Sequence, residues 1–263
     1  MELESLKRWL LKERGFDCDQ YSDSFLQRRL AVRLRACNIL SYTDYVRILK
    51  SDDEEYDKLL GTLSINVTRF FRDETVWDAI EKRALPGLIS RKVERGESSI
   101  RVWSAGCSTG EETYSIAMLL EPFAEQFATL IYGTDRDLRS LDKAREGVYT
   151  ASSVKGLKPK RLSKLERKGD EYGVRDEIKG MVKFMKHDLL EDKYLKGMDL
   201  ILCRNVLIYF KKDAQKQVVS SFWEALRGEG YMVLGRVETI FDEIKERFTP
   251  FDLMGRIYRR PKC

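Results

Sequence analysis

The spacing of hydrophobic residues divides the sequence into two parts. Up to about residue 80, apolar residues recur every three or four positions, which is the spacing of one buried face of an α-helix. Four groups show this spacing: Leu6, Trp9 and Leu10; Phe25, Leu26, Leu30 and Leu34; Tyr42, Tyr45, Val46 and Leu49; and Tyr56, Leu59, Leu60 and Leu63. They predict a small all-helical domain over residues 1–80. A linking helix, Thr75 to Ala84, begins the connection that extends to about residue 98.

Beyond residue 98, short runs of β-forming residues alternate with helical runs. The predicted strands are Ile100–Ser104, Leu130–Thr134, Val182–Lys186, Met198–Cys203 and Gly230–Leu234. Strands separated by helices form βαβ units and a parallel sheet, whose ligands bind at the carboxyl ends of the strands. We therefore predict an α/β domain over residues 99–263. A small insert at about residues 160–181 is expected to form a hairpin between Leu165 and Arg175.

The composition predicts a soluble, cytoplasmic protein. Hydrophobic residues make up 43% of the 263 positions, which is enough to fill a core, and charged residues make up 35%, which suits a surface in water. No apolar run approaches the roughly 20 residues that a membrane-spanning helix needs. The first four residues include two acids, whereas a secretory signal begins with positive charge.

Cysteine and histidine usage excludes several classes of enzyme. The five cysteines lie far apart without a Cys-x-x-Cys pair, so we expect reduced thiols and no metal site. His187 is the single histidine, and no Gly-x-Ser-x-Gly nucleophile motif accompanies it. A serine hydrolase and most enzymes that depend on histidine as an acid or base are therefore disfavoured.

One predicted helix is strongly basic. The stretch from Ser24 to Cys37 contains Arg28, Arg29, Arg33 and Arg35 and no acidic residue, although the net charge of the whole chain is only +5. A helix face with this charge suits an acidic partner surface. The alternative interpretation is a solvated helix face that binds nothing.

The strongest local motif lies where the first predicted strand becomes a helix. It reads Val102-Trp103-Ser104-Ala105-Gly106-Cys107-Ser108-Thr109-Gly110-Glu111-Glu112. Glycines at such a junction let a ligand approach the backbone, and the helix start offers free N–H groups. Asp135 follows the second strand, where an acid binds the ribose hydroxyls of a nucleotide. A tight turn with acids that complement the helix dipole, and a turn aspartate, are the alternatives. Together the two features favour a nucleoside-type cofactor.

Three further segments carry polar residues next to apolar ones. His187-Asp188-Leu189-Leu190 follows a strand and could bind the amine of an adenine while covering its ring. Leu202–Phe210 delivers Asn205 and then Tyr209 beyond another strand. Ser64–Asp73 places Asn66 and Thr68 next to two aromatic residues. A helix cap, core packing and a connecting loop are the respective alternatives.

These five segments resemble, in order and over residues 20–240, those of the CheR-type chemotaxis receptor methyltransferases. The matching stretches are NVTRFFRD, RVWSAGCSTGEETYSIAM, TDRDLRSLDKAREGVYT, HDLL and LCRNVLIYF. The resemblance implies a Rossmann-like methyltransferase domain that uses S-adenosylmethionine, preceded by an all-helical domain. It also implies transfer of methyl groups to glutamate side chains of chemoreceptors, which adapts the signalling response and leaves S-adenosylhomocysteine.

The resemblance implies roles for individual residues. Asn66, Thr68 and Arg72 are expected to reach the cofactor from the N-terminal side. Ala105, Gly106, Glu111 and Glu112 belong to the loop for its methionyl part, Asp135 to the ribose, Asp188 and Leu189 to the adenine, and Asn205 and Val206 to the same cleft. Arg72 and Tyr209 are expected nearest the transferred methyl. Arg28, Arg29, Arg33 and Arg35 are expected to contact the helical bundle of the receptor, with the enzyme acting as a monomer.

Two features depart from the family pattern. Members often read Gly-His-Ser-Glu after the last parallel strand, whereas this chain has Gly235-Arg236-Val237-Glu238, which leaves the two middle positions without an assigned role. The insert also looks shorter than in members that bind the C-terminal peptide of a receptor, which argues against such docking.

Competing functions are weighed against the same residues. A nicotinamide oxidoreductase lacks support because the Gly-x-Gly-x-x-Gly motif is missing. A nucleic-acid methyltransferase would explain the basic helix, but Asn205 is not followed by the Pro-Pro-Tyr/Phe of the amino-methylating enzymes. A scaffold that binds S-adenosylmethionine without catalysis stays open.

Overall fold

The computed structural model describes residues 3–63 and 68–262, and the chain forms two compact units. The first unit comprises Met1–Ile65 together with the short segment Tyr209–Gln215. The second comprises Asn66–Ile208 and Lys216–Cys263. Within the described residues, no helix combines the length and the apolar character that crossing a bilayer requires.

The first unit is helical, as the hydrophobic spacing predicted. Its helices are α1 (Leu3–Arg14), α2 (Asp23–Ala36), α3 (Tyr42–Ser51) and α4 (Asp53–Leu63). Their predicted apolar faces supply the core, in which Leu6, Tyr45 and Leu49 are completely buried. The Ser41 hydroxyl accepts a hydrogen bond from the Asp44 N–H and so begins α3, which is the usual role of serine at a helix start.

The segment 209–215 is held by backbone pairing and aromatic packing inside this first unit. The Ser22 N–H donates to the Tyr209 carbonyl at 3.0 Å. The Tyr209 ring lies 4.8 Å from the Phe25 ring, measured between centroids. Phe210 packs edge-on against Tyr21 at 5.3 Å. A stretch far away in sequence thereby completes the packing of α2.

A buried ion pair fastens α2 to α4. Arg33 donates from Nε and Nη2 to the two carboxylate oxygens of Glu55, at 2.9 and 2.5 Å. Glu55 is 4% exposed and also accepts from the Tyr45 hydroxyl at 2.7 Å. Burial alone would raise the pKa of Glu55, but the bonds from Arg33 and Tyr45 outweigh it and lower the pKa. Arg33, expected from the sequence on the basic partner-binding face, is thus engaged within its own unit.

This ion pair gives a pH-dependent prediction. Because the folded-state pKa of Glu55 is depressed, its stabilisation is present above the unfolded pKa of about 4.3 and is lost as pH falls through the folded value. Replacing Glu55 with glutamine should lower the free energy of opening of α2 and α4 by about 3 kcal/mol at pH 7. Hydrogen exchange should show this difference shrinking below about pH 4. A difference independent of pH would contradict the assignment.

The second unit is built on a seven-stranded sheet. Its strands are β1 (Ser99–Ala105), β2 (Ala128–Asp135), β6 (Val182–Lys186), β7 (Met198–Cys203), β8 (Leu226–Leu234), β9 (Thr249–Asp252) and β10 (Ile257–Arg259). Their order is β6-β2-β1-β7-β8-β10-β9, with the first five parallel and the last two antiparallel. The five predicted strands are the parallel ones, so the mostly parallel α/β class predicted for this domain is confirmed.

Helices connect and cover these strands. They are α5 (Glu74–Ala79), α6 (Leu85–Glu94), α7 (Glu111–Leu120), α8 (Leu138–Glu146), α9 (Ala151–Val154), α10 (Pro159–Leu162), α11 (Asp176–Lys179), α12 (Lys212–Ala225) and α13 (Asp242–Lys245). A π-helical stretch, Ile80–Ala84, joins α5 to α6, and two 3-10 turns lie at Glu121–Phe123 and Leu207–Tyr209. The core between the sheet and these helices contains Val102, Ile131, Leu200 and Trp77, all 0% exposed.

The insert forms a small sheet of its own. The strands β4 (Leu165–Lys168) and β5 (Glu171–Val174) make the predicted hairpin. A third strand, β3 (Val148–Thr150), pairs antiparallel with β5. The sequence did not predict β3, because three residues directly after a helix are too few to show an alternating pattern.

Candidate functional site

The loop between β1 and α7 is folded back onto the end of β2. The N–H groups of Gly106 and Cys107 both donate to the Thr134 carbonyl, at 2.8 and 2.9 Å. Gly106 has a φ of 73°, and a Cβ atom there would lie 2.5 Å from a methyl group of Val206. A side chain is therefore excluded on both conformational and steric grounds. The result is a tight backbone cradle at the carboxyl edge of the sheet.

Asp135 ends β2 and organises this loop. One carboxylate oxygen accepts from the Ser108 N–H at 2.8 Å and the other from the Asp137 N–H at 3.0 Å. Burial raises the pKa of Asp135, and the two backbone bonds act in the opposite direction. An ionised carboxylate has about four acceptor sites, so both oxygens can still accept bonds from ligand hydroxyls.

The first turn of α7 carries two acids, of which Glu111 is buried and Glu112 is partly buried. Glu111 is 4% exposed and accepts a bond from the Thr109 hydroxyl at 2.7 Å. Glu112 accepts from the Ser104 hydroxyl at 2.9 Å. Burial raises the pKa of both carboxyls. Acids at a helix start are stabilised by the helix dipole, which helps to keep them in this position.

Arg204, directly after β7, connects three parts of the site. Its guanidinium donates to the Asp73 carboxylate at 2.8 Å, to the Arg72 carbonyl at 2.9 Å and to the Glu112 carboxylate at 3.3 Å. The Arg204 side chain is only 2% exposed. It thus fixes the backbone at Arg72 against the start of α7.

The segment that carries Arg72 has a constrained backbone. Phe71 and Asp73 both have positive φ, at 50° and 61°. The Phe71 N–H donates to the Ser115 hydroxyl at 2.9 Å, and the Trp77 indole donates to the Arg72 carbonyl at 2.9 Å. Strained backbone of this kind persists only where its surroundings enforce it and is frequent at functional sites.

The same segment contains two other predicted cofactor contacts, Asn66 and Thr68. Thr68 is a half-buried loop residue. Asn66, expected to contact the cofactor, lies outside the described residues.

The residues after β7 form a turn with one left-handed residue. Asn205 has a φ of 62°, in the left-handed region that asparagine tolerates better than most residues. Its side-chain oxygen Oδ1 is buried and has no hydrogen-bond partner among the described residues. A buried acceptor of this kind calls for a donor from elsewhere, such as a bound ligand. Val206, next along, is the residue that packs over Gly106.

Asp188 and Leu189 follow β6 at the same edge. One Asp188 oxygen accepts from the Leu190 N–H at 2.9 Å, and Arg136 lies 3.7 Å from the carboxylate. Leu189 is buried, and its carbonyl accepts from the Tyr194 hydroxyl. Because β6, β2, β1 and β7 are consecutive parallel neighbours, Asp188, Asp135, the Gly106 loop and Asn205 share one edge of the sheet.

Two buried charges at this edge were missed by the sequence interpretation. They are Arg204 and Glu238, whose carboxylate accepts four backbone N–H bonds. A signal did exist for each. Arg204 directly follows the apolar run Leu200–Cys203, and Glu238 is the acid of the Gly-x-x-Glu motif.

Comparisons with known proteins identify the family. The family model described as "CheR methyltransferase, SAM binding domain" matches residues 66–255, and the model "CheR methyltransferase, all-alpha domain" matches residues 1–64. The chain belongs to the CheR methyltransferase family. It therefore has the fold of an S-adenosylmethionine-dependent methyltransferase with an all-helical N-terminal domain, and its cofactor is S-adenosylmethionine.

Several chemotaxis protein methyltransferases align with this chain over most of their length. The chemotaxis protein methyltransferase of Listeria monocytogenes is 35% identical over 236 residues, covering 89% of this chain and 88% of the relative. Proteins of the same name from Borreliella burgdorferi and Escherichia coli are 33% and 31% identical, over 91% and 93% of this chain and 88% and 86% of theirs. The family resemblance that the sequence motifs indicated is thus confirmed.

The edge of the sheet fits S-adenosylmethionine by three observations. At Gly106 there is no room for a side chain, so a ligand can approach the backbone. The Asp135 carboxylate can accept further hydrogen bonds, and the buried Asn205 Oδ1 has no donor among the described residues. We expect Asp135→Ala to weaken binding of S-adenosylhomocysteine by about 1–3 kcal/mol, through lost bonds to ribose hydroxyls. Calorimetry on the folded variant tests this expectation, with Asp142→Ala, an exposed acid on α8, as the control. Unchanged affinity would remove Asp135 from the site.

Proposed function

We propose that this protein transfers the methyl group of S-adenosylmethionine to glutamate side-chain carboxylates of chemoreceptors, forming glutamate methyl esters. The observation that carries the proposal is the sheet edge that contains Gly106, Asp135 and Asn205, in a chain whose single histidine is buried. His187 is 5% exposed, packs edge-on against Trp103 and lies 3.3 Å from the Lys193 carbonyl. A glutamate carboxylate has a pKa of about 4.3, so it is ionised at neutral pH and needs no base.

The proposed cofactor contacts follow the order of the motifs. Asn66, Thr68 and Arg72 would contact it from the N-terminal side, Ala105 to Glu112 would hold the methionyl part, Asp135 the ribose, Asp188 and Leu189 the adenine, and Asn205 and Val206 the facing wall. When bound, the cofactor supplies a methyl group already activated on a sulfonium. What remains for the protein is to orient the attacking carboxylate and to exclude water.

Arg72 and Tyr209 are our candidates for orienting the substrate. A guanidinium can hold one carboxylate oxygen by a charge-assisted bond while the other oxygen attacks. The fixed backbone at Arg72 supports this role, because a held carbonyl limits where the side chain can start. Tyr209 is a candidate by the family resemblance, since a tyrosine hydroxyl can donate to a carboxylate. Weak pairing is required, since a tight ion pair would reduce the nucleophilicity of the oxygen.

The chemistry of the product tests the proposal. Purified protein is incubated with methyl-labelled S-adenosylmethionine and receptor-containing membranes, and the labelled product is then exposed to mild base. A carboxyl ester releases the label as volatile methanol, whereas methylated nitrogen retains it. We expect label in the receptor that mild base removes. Label that stays base-stable and sits on nucleic acid would instead support a nucleic-acid methyltransferase.

We further propose that α2 provides the contact with the receptor in the cytoplasm. Receptor methylation regions display glutamates on helical bundles, so their surface is acidic, and α2 offers the opposite charge. Arg28 and Arg35 are exposed, whereas Arg29 is half-buried and lies over the Phe25 ring. Arg33 is paired with Glu55. The proposal therefore centres on Arg28 and Arg35, with a lesser contribution from Arg29.

Charge reversal on α2 is expected to slow receptor methylation. In the variant Arg28→Glu with Arg35→Glu, the initial rate should fall about tenfold at low salt, because complementary charge acts mainly on the encounter rate. The effect should weaken as salt shortens the Debye length to about 8 Å. Affinity for S-adenosylhomocysteine should not change.

A matched double reversal separates local contact from net charge. Lys12→Glu with Lys50→Glu alters two exposed lysines of α1 and α3 and changes the net charge equally. This control should methylate receptors nearly as fast as the wild-type protein. Equal slowing in both variants would show that only the overall charge matters and that α2 is a solvated face.

A further inference from the structure

The turn after β8 ends in a buried carboxylate with an unusual set of partners. Glu238 is 4% exposed, and its oxygens accept four backbone N–H bonds. One oxygen accepts from Asn205 and Gly235, at 3.0 and 2.6 Å. The other accepts from Val206 and Leu207, both at 2.8 Å. Burial raises the pKa of Glu238, and these bonds oppose that effect by favouring the charged form.

Three of the four donors belong to the turn that follows β7. Successive N–H groups converge there because Asn205 adopts a left-handed conformation, which makes a concave nest for an anion. In this protein the anion is the side chain of Glu238. Without the Glu238 carboxylate, these three buried N–H groups would converge on a point that holds no acceptor. The left-handed turn would then lose the hydrogen bonds that stabilise it.

The same turn carries the unsatisfied oxygen of Asn205. Its Oδ1 is buried and accepts no hydrogen bond from the described residues. A bound ligand could supply the missing donor, provided that the Asn205 side chain is held in the right direction. We propose that Glu238 is a positioning residue, which holds the backbone of residues 205–207 so that Asn205 can accept a bond from S-adenosylmethionine. This inference rests on the proposed cofactor role of Asn205.

Gly235 is part of the same device. A Cβ atom on Gly235 would lie 2.6 Å from the Glu238 carboxylate and 2.8 Å from the Asn205 nitrogen. The Glu238 N–H closes the turn by donating to the Gly235 carbonyl at 3.0 Å. Glycine and glutamate three residues apart are thus both required for the carboxylate to reach the nest.

The two residues between them face outward. Arg236 is exposed, and Val237 is 72% exposed. Neither side chain of this pair is among the groups that hold the carboxylate. The working part of the motif is its first and last residue.

Binding of S-adenosylhomocysteine tests the inference without any methyl acceptor. Glu238→Gln keeps the shape but turns an amide group toward two of the donors, and Gly235→Ala displaces the carboxylate. We expect each to weaken affinity about tenfold by calorimetry, at a temperature where circular dichroism shows a folded protein. Val237→Ala should bind like the wild-type protein. Because no substrate is involved, failure here is distinct from failure of the proposed glutamate methylation.

A double-mutant cycle separates positioning from general support of the fold. If Glu238 acts through Asn205, then Asn205→Ala with Glu238→Gln should bind about as weakly as the weaker single variant, instead of about a hundredfold below wild type. Additive losses, or an unchanged affinity in Glu238→Gln with only a lower melting temperature, would overturn the inference. If Glu238→Gln does not fold, the Gly235→Ala variant combined with Asn205→Ala gives the same comparison.

Discussion

Replacing Arg204 with methionine should destabilise the second unit by about 3–5 kcal/mol, which is the usual penalty for breaking a buried ion pair. The change leaves the carboxylates of Asp73 and Glu112 near one another without the cation that lies between them. Burial already raises the pKa of Glu112, and Arg204 is the main opposing influence. Without Arg204, Glu112 should take up a proton, and the turn at Arg72 should lose its anchor.

Urea unfolding followed by tryptophan fluorescence measures this effect, since Trp77 and Trp103 are completely buried in the second unit. The double variant Arg204→Met with Glu112→Gln should recover part of the lost stability, because one buried charge is removed along with its partner. Arg227→Met is a suitable control, as that arginine is about half-exposed in its ion pair with Glu97. A loss below about 1 kcal/mol in the single variant would mean that Arg204 pairs as weakly as a surface residue.

Replacing Arg72 with alanine should lower kcat by about 10²-fold, which is the size of effect that misaligned reactants produce. Affinity for S-adenosylhomocysteine should change much less, because orienting the carboxylate is the larger part of the proposed role. Arg72→Lys should restore little, since lysine lacks the planar fork that holds a carboxylate.

Arg69, in the same segment, provides the matched control for Arg72. It is exposed, so Arg69→Ala removes an equal charge at nearly the same place in the sequence. Turnover in this control should stay close to that of the wild-type protein. If Arg72→Ala kept wild-type turnover, or lost cofactor affinity and turnover in equal measure, its assignment to the methyl end would be wrong.

Much of the fold was predictable because its elements carry strong local patterns. The strand Met198–Cys203 contains the apolar run Leu200–Cys203, and the helix Leu138–Glu146 begins at Asp137, whose side chain caps it. The antiparallel strands β9 and β10 were not predicted. Each is short, and β9 contains Pro250, so their pairing depends on the edge offered by β8.

The site was predictable only where a motif is local. The Gly106 loop and Asp135 each follow a strand end, which is a pattern that a sequence displays. Arg204 and Glu238 act through contacts that cross 132 and 33 positions of sequence, to Arg72 and to Asn205. Likewise, nothing in the spacing of the basic residues on α2 indicates that Arg33 faces Glu55. Ion pairs between residues far apart in sequence leave no local pattern, although burial makes them strong contributors to stability.

The most direct test of the central claim is to locate the methyl group on the receptor. Wild-type protein, S-adenosylmethionine and a receptor with intact methylation helices are incubated, and the digested receptor is analysed by peptide mass spectrometry before and after mild base. The account predicts that glutamate side chains gain the mass of one methylene and that mild base restores the original mass. A methyl group on lysine, arginine or the backbone that survives base, or no modification of the receptor by an active preparation, would contradict it.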